Sequence, residues 1–590
     1  VTLRLIIAAA ACLAPLAAHA ADERLPDRRT LAQPGDGIPD QLDDAQRTGY
    51  RGVFASIRAE RWIDAQLQLD SMRPGPLHAI ARAQLYTAKN SPKVAPDALR
   101  TLLAEAPDLP HGEQLVRMAK ARGVTELPFL PAAQRMIWFD AAPTRQRARS
   151  AKTDTAAMEV ALAMQPLIKA DLAVDAEALV TKWADQLSPE SLTEWRQKVA
   201  WIYYQNGADS DARRVAALAQ QGTGDWAVSA DWLQGLAAWR QKDCAAAQTA
   251  FTTVSARAGD VELRSAGLYW ASRADMACGR PELVQARLKS AAAYGETFYG
   301  LLARQTLGMV DGPPREGERF VTADWKMLER RPNVRVAAAL TEIGETALAD
   351  AVIRQQAKIG DASDYAALTR IAGRLNLPAA QLWMTHNCPA GAQPLAAARY
   401  PSPNWTPDGG WRVDKALVFA HTLQESRFNA EVMSPAGAYG LMQVMPAAAT
   451  DIGRKRGVTI DRSQLTRPST NMEVGQSYLE QLRDQPFTGG LLPKVIAAYN
   501  AGPTPVAAWN IGARDGGDPL LYIESIPYWE TRGYVMVVLR NYWMYERQEG
   551  RESVSRAALA QGLWPKFPGL PGAKSVRVQA STSTSAPGGY

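Results

Sequence analysis

Residues whose types and spacing could do chemistry are concentrated between Leu423 and Met445, in the run LQESRFNAEVMSPAGAYGLMQVM. Glu425 stands there at the end of an apolar-patterned stretch. Val413, Leu417 and Ala420, with Ala416, Phe419 and Leu423, recur at helical spacing and give that helix a buried side. Ser434, Pro435, Gly437 and Gly440 then turn the chain back, and LMQ begins a new segment. A carboxyl at such a helix end, walled by Phe428, Leu441, Met442 and Met445, would be poorly hydrated. Desolvation disfavours the charged form and raises a carboxyl pKa, so Glu425 is a candidate to hold its proton near neutral pH. A proton held there is what a general acid acting on a glycosidic oxygen requires. A glutamate at a helix end is more often a solvated surface group, and spacing alone leaves both readings open.

Other chemistries find little support. The five histidines (His19, His78, His111, His386 and His421) show no metal-ligand spacing, and no glycine-rich phosphate loop follows a strand. Neither a metal nor a cofactor is expected. Glu431, Asp451 and Glu473 are near enough in sequence to serve as a second carboxylate. Glu431 sits in a polar turn and Asp451 beside a basic run, so both read as surface charges.

The elements that must position Glu425 are helices. The 590 residues are too many for one core; hydrophobic content is 47% and charged content 21%, ordinary for a globular protein. Alanine is abundant and strand-like alternation is scarce, so the fold class is all-α. From about residue 40 to 310, helical patterns are broken by short turns. Examples are Trp62–Ser71 with Leu77–Thr87, Glu190–Gln205 with Asp209–Gln221, and Asp225–Arg240 followed by Ala245–Ala256 and Val261–Ala277. This is the pattern of stacked helical hairpins, an α-solenoid of irregular period. Its tryptophans, such as Trp232, Trp239 and Trp270, read as packing between hairpins.

Arg4, the apolar run Leu5–Leu16 and Ala18-His19-Ala20 read as a secretory signal over residues 1–20. The signal implies an oxidising compartment, where disulfides persist. Cys244 lies on one face of a candidate helix with Ala247, Phe251 and Val254. Cys278 ends the next, with Leu263, Ala266, Trp270 and Ala274. In an antiparallel hairpin the two thiols meet, so a Cys244–Cys278 disulfide is expected; two buried small hydrophobes are the alternative. The net charge of +6, or +5 without Arg4, suits contact with an anionic polymer. The basic clusters lack interleaved aromatics, so nucleic acid is not an expected partner.

Four signatures then appear in order: ES at 425–426, SPAGAYGLMQVMP at 434–446, AAYNAG at 497–502 and IPYWETRGYV at 526–535. Together they resemble the soluble lytic murein transglycosylases, whose catalytic domain is lysozyme-like. TFYGLLARQTLG at 297–308 is similar to the end of that family's superhelical region. After the signal peptide (1–20), the resemblance implies an α-superhelical domain (21–318) expected to close toward a ring, a helical linker domain (319–400) and a lysozyme-like domain (401–560); the tail (561–590), with its low-complexity run at 580–589, is expected to be disordered. The Pro-rich stretch PSPNWTPDGG at 401–410 marks the last domain boundary.

By the same resemblance Glu425 is the single catalytic acid and base. It would cleave the β-1,4 bond between N-acetylmuramic acid and N-acetylglucosamine in peptidoglycan and close a 1,6-anhydro ring. Ser434, Gln443, Met445, Tyr499 and Glu530 would contact the glycan, with Arg532 as the neighbour of Glu530. Asn500 and Gly502 would hold the turn before Pro503. The family often carries a basic residue two before the acid, where this chain has Leu423; His421 has no evident partner and reads as a core histidine. The implied setting is the periplasm. The implied partners are glycan strands and cell-wall synthesis or division proteins, met by a monomer. A muramidase hydrolysing the same bond, and a non-catalytic peptidoglycan-binding scaffold, are the alternatives.

Overall fold

The computed structural model describes residues 37–139, 141–151, 155–309, 319–512 and 514–578. The expected signal peptide, with Cys12, and the serine-threonine run of the tail lie outside them. The chain divides into two compact units that do not follow the sequence linearly. One combines Val1–Gln134 with Phe320–Leu377, the other Arg135–Arg319 with Pro378–Tyr590.

The first unit is helical. Five helices between Asp44 and Lys120 are joined by four between Thr322 and Arg374. Asp43 starts the first with a capping box, accepting the Gln46 N–H while the Gln46 side chain returns to the Asp43 N–H. Glu342 joins the two stretches by accepting from the Gln41 and Leu42 N–H groups and from Arg47 Nε.

In the second unit, the helices from Thr155–Lys169 to Phe298–Thr306 pack each on the next as antiparallel hairpins. Side-chain caps start several of them. Ser188, Asp243, Asp260 and Thr297 each accept the N–H three residues on. Trp232, Phe251, Trp239 and Trp270 interlock with ring centroids 5.1–6.2 Å apart, so these tryptophans are hairpin core. Gly267 lets two helices touch there: a Cβ would lie 2.9 Å from the Phe251 carbonyl oxygen.

Cys244 opens one helix of this stack and Cys278 caps the C-terminus of the next; their Cα atoms are 5.5 Å apart and the sulfurs are bonded. Cys388 is free and buried. The bridge closes a loop of 34 residues, which in the chain-entropy account stabilises by about 3–4 kcal/mol. Replacing both cysteines by serine is expected to lower the unfolding free energy of this unit by that amount. Denaturant titration of oxidised parent and variant measures it.

Over the described residues the fold is all-α, with only short strand pairs and irregular stretches between the helices. Residues 124–135, with Pro128 and Pro131, form no helix or strand and lead into Met136–Trp138, which pairs antiparallel with Asn387–Pro389. The Pro-rich stretch at 401–410 is packed down: Pro401, Pro403 and Pro407 are buried, and the Tyr545 hydroxyl donates to the Pro401 carbonyl. Among the described residues no helix is long and apolar enough to cross a membrane.

The C-terminal helices of this unit begin at Lys415–Ser426, which packs along the long helix Trp529–Gln548. Ala416 to Thr422 of the first are buried throughout, against Tyr534, Val535, Val538 and Leu539 among the buried residues of the second. A buried ion pair secures this part of the unit. Arg145 donates to both oxygens of Glu524, at 2.6 and 2.9 Å, and the Tyr299 hydroxyl donates to the same carboxylate.

Candidate active site

Glu425 is the penultimate residue of the helix Lys415–Ser426, and the way that helix stops sets its surroundings. Arg427 caps it at φ 51° and Phe428 follows at φ 63°, both in the left-handed region. Gln443 joins them at φ 46°. Among the described residues, three of the eight non-glycine positions with positive φ therefore cluster here. A left-handed aromatic residue is costly, and such strain persists where packing over-determines it. Phe428 supplies that packing, buried and set edge-on to Phe419 with centroids 5.9 Å apart.

Glu425 is half-buried, and one carboxyl oxygen accepts a 2.6 Å hydrogen bond from the Tyr534 hydroxyl. Burial pushes its pKa from 4.5 up to about 7. The Tyr534 hydrogen bond pulls downward, and the negative charge of Glu530 adds a smaller push upward. Near neutral pH this carboxyl both gives and takes a proton readily.

Two tyrosines flank the acid with different duties. Tyr534 bonds Glu425; the Tyr499 hydroxyl instead donates to the Met442 carbonyl at 2.8 Å. His421, one helical turn before the acid, faces both rings, with centroids 4.9 Å from Tyr499 and 6.1 Å from Tyr534. It is fully buried, its Nδ1 bonds the Leu417 carbonyl, and burial lowers its pKa to about 4, so it is neutral.

The opposite wall is the loop from Val432 to Met445. Tyr439 bridges to Met433 on one side and Val444 on the other. Ser434 closes its turn by accepting the Ala438 N–H at 3.0 Å and remains half-buried. Gln443 donates its amide to the Val432 and Gly440 carbonyls, which leaves its oxygen as an acceptor. Met442 is fully buried, whereas Met445 is 45% exposed. Gly440 is required, because a Cβ there would collide with Asn471 and the Leu465 carbonyl. Asn471, itself fully buried, fastens the loop: it accepts the Met442 N–H and donates to the Tyr439 and Leu465 carbonyls.

Glu530 is exposed on the first turn of Trp529–Gln548. The expected pairing with Arg532 is not made. Arg532 is buried, donates to the Ile526 carbonyl and stacks over Trp201 at 4.2 Å, because residues two apart on a helix point in different directions. Asn500 accepts from the Thr531 hydroxyl at 2.6 Å, and Gly502 takes φ 84° ahead of Pro503.

The family model described as the transglycosylase SLT domain matches residues 407–519, the stretch that carries this acid and its loop. The chain carries a transglycosylase SLT domain. The SLT domain has named relatives. A soluble lytic murein transglycosylase of Salmonella typhimurium is 35% identical over 159 residues, 27% of this chain and 24% of that protein. One of Escherichia coli K12 is 39% identical over 132 residues, 22% and 20% of the two chains. The matched stretch thus spans about a quarter of these relatives' length or less. The likeness of fold is broader than the likeness of sequence. The crystal structure of the 70 kDa soluble lytic transglycosylase from Escherichia coli matches with a TM-score of 0.53 at 19% identity, over 89% of this chain and 99% of that one. A complex of the 70-kDa soluble lytic transglycosylase with bulgecin A matches at 0.52, with the same identity and coverage.

Around the SLT domain's acid, the other nearby carboxylates are engaged elsewhere. Glu473 is buried, pairs with Arg412 at 2.8 Å and with Arg456, and accepts from Gly409 N–H and Gln476 Nε2. Burial pushes its pKa up, but these partners outweigh it and hold it below the ordinary range. Asp451 pairs with Lys455 at 3.0 Å, and Glu431 is exposed. Glu473→Ala is expected to lower stability by about 1–3 kcal/mol, because it leaves the Gly409 N–H and the buried Gln476 amide without their acceptor, while the exposed Arg412 and Arg456 return to solvent. Denaturant unfolding reads that loss.

Proposed function

We propose that the chain is a lytic transglycosylase acting on peptidoglycan glycan strands, with Glu425 as its single acid and base. The observation that carries this is a half-buried carboxyl with a pKa of about 7, hydrogen-bonded by Tyr534 inside the SLT domain. Protonated Glu425 gives its proton to the oxygen between N-acetylmuramic acid and N-acetylglucosamine, and the C1–O bond breaks. The carboxylate left behind takes the proton of the muramyl C6 hydroxyl, whose oxygen closes on C1. The product is a 1,6-anhydro ring, no water is consumed, and Glu425 ends protonated as it began. Ser434, the Gln443 oxygen, Met445, Tyr499 and Glu530 are placed under this reading along the glycan. The substrate's N-acetyl carbonyl would stabilise C1, which relieves the need for a second carboxylate. A periplasmic setting fits the Cys244–Cys278 bridge, since disulfides persist in oxidising compartments.

The test is a digest of purified peptidoglycan with the products separated and weighed by mass spectrometry. Anhydro-muropeptides are the expected result. Reducing-end products would replace this reading with hydrolysis, and an absence of cleavage would favour a glycan-binding scaffold.

A further inference from the structure

A cavity of about 700 Å³ opens in the same unit as Glu425 and is walled by residues the proposed reaction does not use. Its lining comes from the turn at 239–244 between two hairpin helices, the helix Val261–Ala277, the loop 514–518 and the strand end near Arg577. Five cationic side chains line it, Arg240, Lys242, Arg273, Arg514 and Arg577, against two carboxylates, Asp515 and Asp518.

Both carboxylates are engaged. Asp518 pairs with Arg273 at 2.7 Å and caps the helix Pro519–Ser525, and Asp515 accepts the Gly517 N–H at 2.8 Å. The cations are not matched in turn. Arg240 is held by Asp209 and stacks on Tyr204. Arg273 is stacked over Trp239 and Trp270, at 4.8 and 4.4 Å, with its second terminal nitrogen buried and without a hydrogen-bond partner. Arg514 donates to the Gly207 carbonyl. Lys242 and Arg577 are exposed and have no acidic partner among the described residues.

Three of the five cations are held by groups of the chain itself and Lys242 and Arg577 are left over, so the cavity carries an excess of positive charge that concentrates anions. The volume is that of a small-molecule site, and Trp239 gives one wall an apolar face. We propose that this cavity binds a small ligand carrying two or more carboxylates, with Arg273 and Lys242 engaging one and Arg577 another. Such chemistry has two sources: a short acidic peptide, such as the stem attached to peptidoglycan, or a free polycarboxylic acid. The site stands apart from Glu425 and does not depend on glycan cleavage.

Calorimetric titration of the full chain with a γ-glutamyl-diaminopimelyl stem tetrapeptide, and separately with citrate, tests it. A double variant, Lys242→Glu with Arg577→Glu, alters two exposed side chains and leaves the core intact. Saturable binding of either probe is expected, weakened at least about tenfold in the double variant, the scale of one charge-assisted hydrogen bond. Glu425→Gln should bind the same probe as well as the parent does. Binding of the tetrapeptide alone assigns the stem; binding of citrate alone assigns a free acid. Failure of both probes to bind at millimolar concentration, or equal binding by the double variant, overturns the proposal.

Discussion

Glu425→Gln is expected to reduce cleavage of peptidoglycan by roughly 10³-fold or more, the scale of losing a general acid that also serves as the base. Glutamine keeps the size of the side chain and can still accept from Tyr534, so binding should survive while turnover does not. The same variant should change stability in a pH-dependent way whose sign is fixed. The carboxyl's pKa of about 7 in the folded chain lies above its ordinary 4.5. The folded state therefore holds the proton more tightly than the unfolded one. Below pH 4.5 the parent carries no penalty at this site, and the penalty grows as pH rises through 7. Fully developed, the shift corresponds to at most about 3 kcal/mol. Glu425→Gln should thus melt higher than the parent at pH 8 and together with it at pH 4. Thermal unfolding at the two pH values measures this. Equal melting at pH 8 would show that the acid is not desolvated, and would remove the physical basis of its role.

Two local signals made Glu425 a candidate, the helical period from Val413 to Leu423 and the turn residues that follow, but they left a solvated surface group equally open, and it was the four ordered motifs that singled it out. Helix periodicity also located most of the hairpins, with boundaries within a residue or two of those observed for Asp209–Gln220 and Val261–Ala277. What the sequence did not show is long-range. Tyr534 lies 109 residues from Glu425, inside a quoted motif, yet nothing local distinguishes it from Tyr499 as the acid's partner. That choice follows from how Trp529–Gln548 lies against Lys415–Ser426. Asn471 is a single amide in a polar stretch, and its three bonds to the Tyr439–Met442 loop and Leu465 exist only after folding. The grouping of 320–377 with the N-terminal helices is of the same kind. It rests on contacts such as Glu342 with Arg47, 295 residues apart, which no period encodes.

The separation of duties between the two tyrosines gives the second large effect. In the proposed reaction the protonated acid is the form that begins the cycle, so activity should fall as pH rises past about 7. Tyr534 donates to the carboxylate and so favours the charged form. Tyr534→Phe removes that bond while keeping the ring beside His421. With a charge-assisted hydrogen bond contributing about 1.5–3 kcal/mol, the alkaline limb should move up by about one pH unit or more. The rate at the plateau should fall by about tenfold or more, because the carboxylate formed as the proton leaves has lost its donor. A merely structural loss would lower the rate without moving the limb. Tyr499→Phe supplies that contrast: its hydroxyl serves the Met442 carbonyl, so turnover should drop through a loosened loop with the limb in place. Rate profiles of the parent and both variants across pH 5 to 9 decide between them. A limb that shifts for Tyr499→Phe and not for Tyr534→Phe would reverse the assignment and make Tyr499 the phenol that tunes the acid.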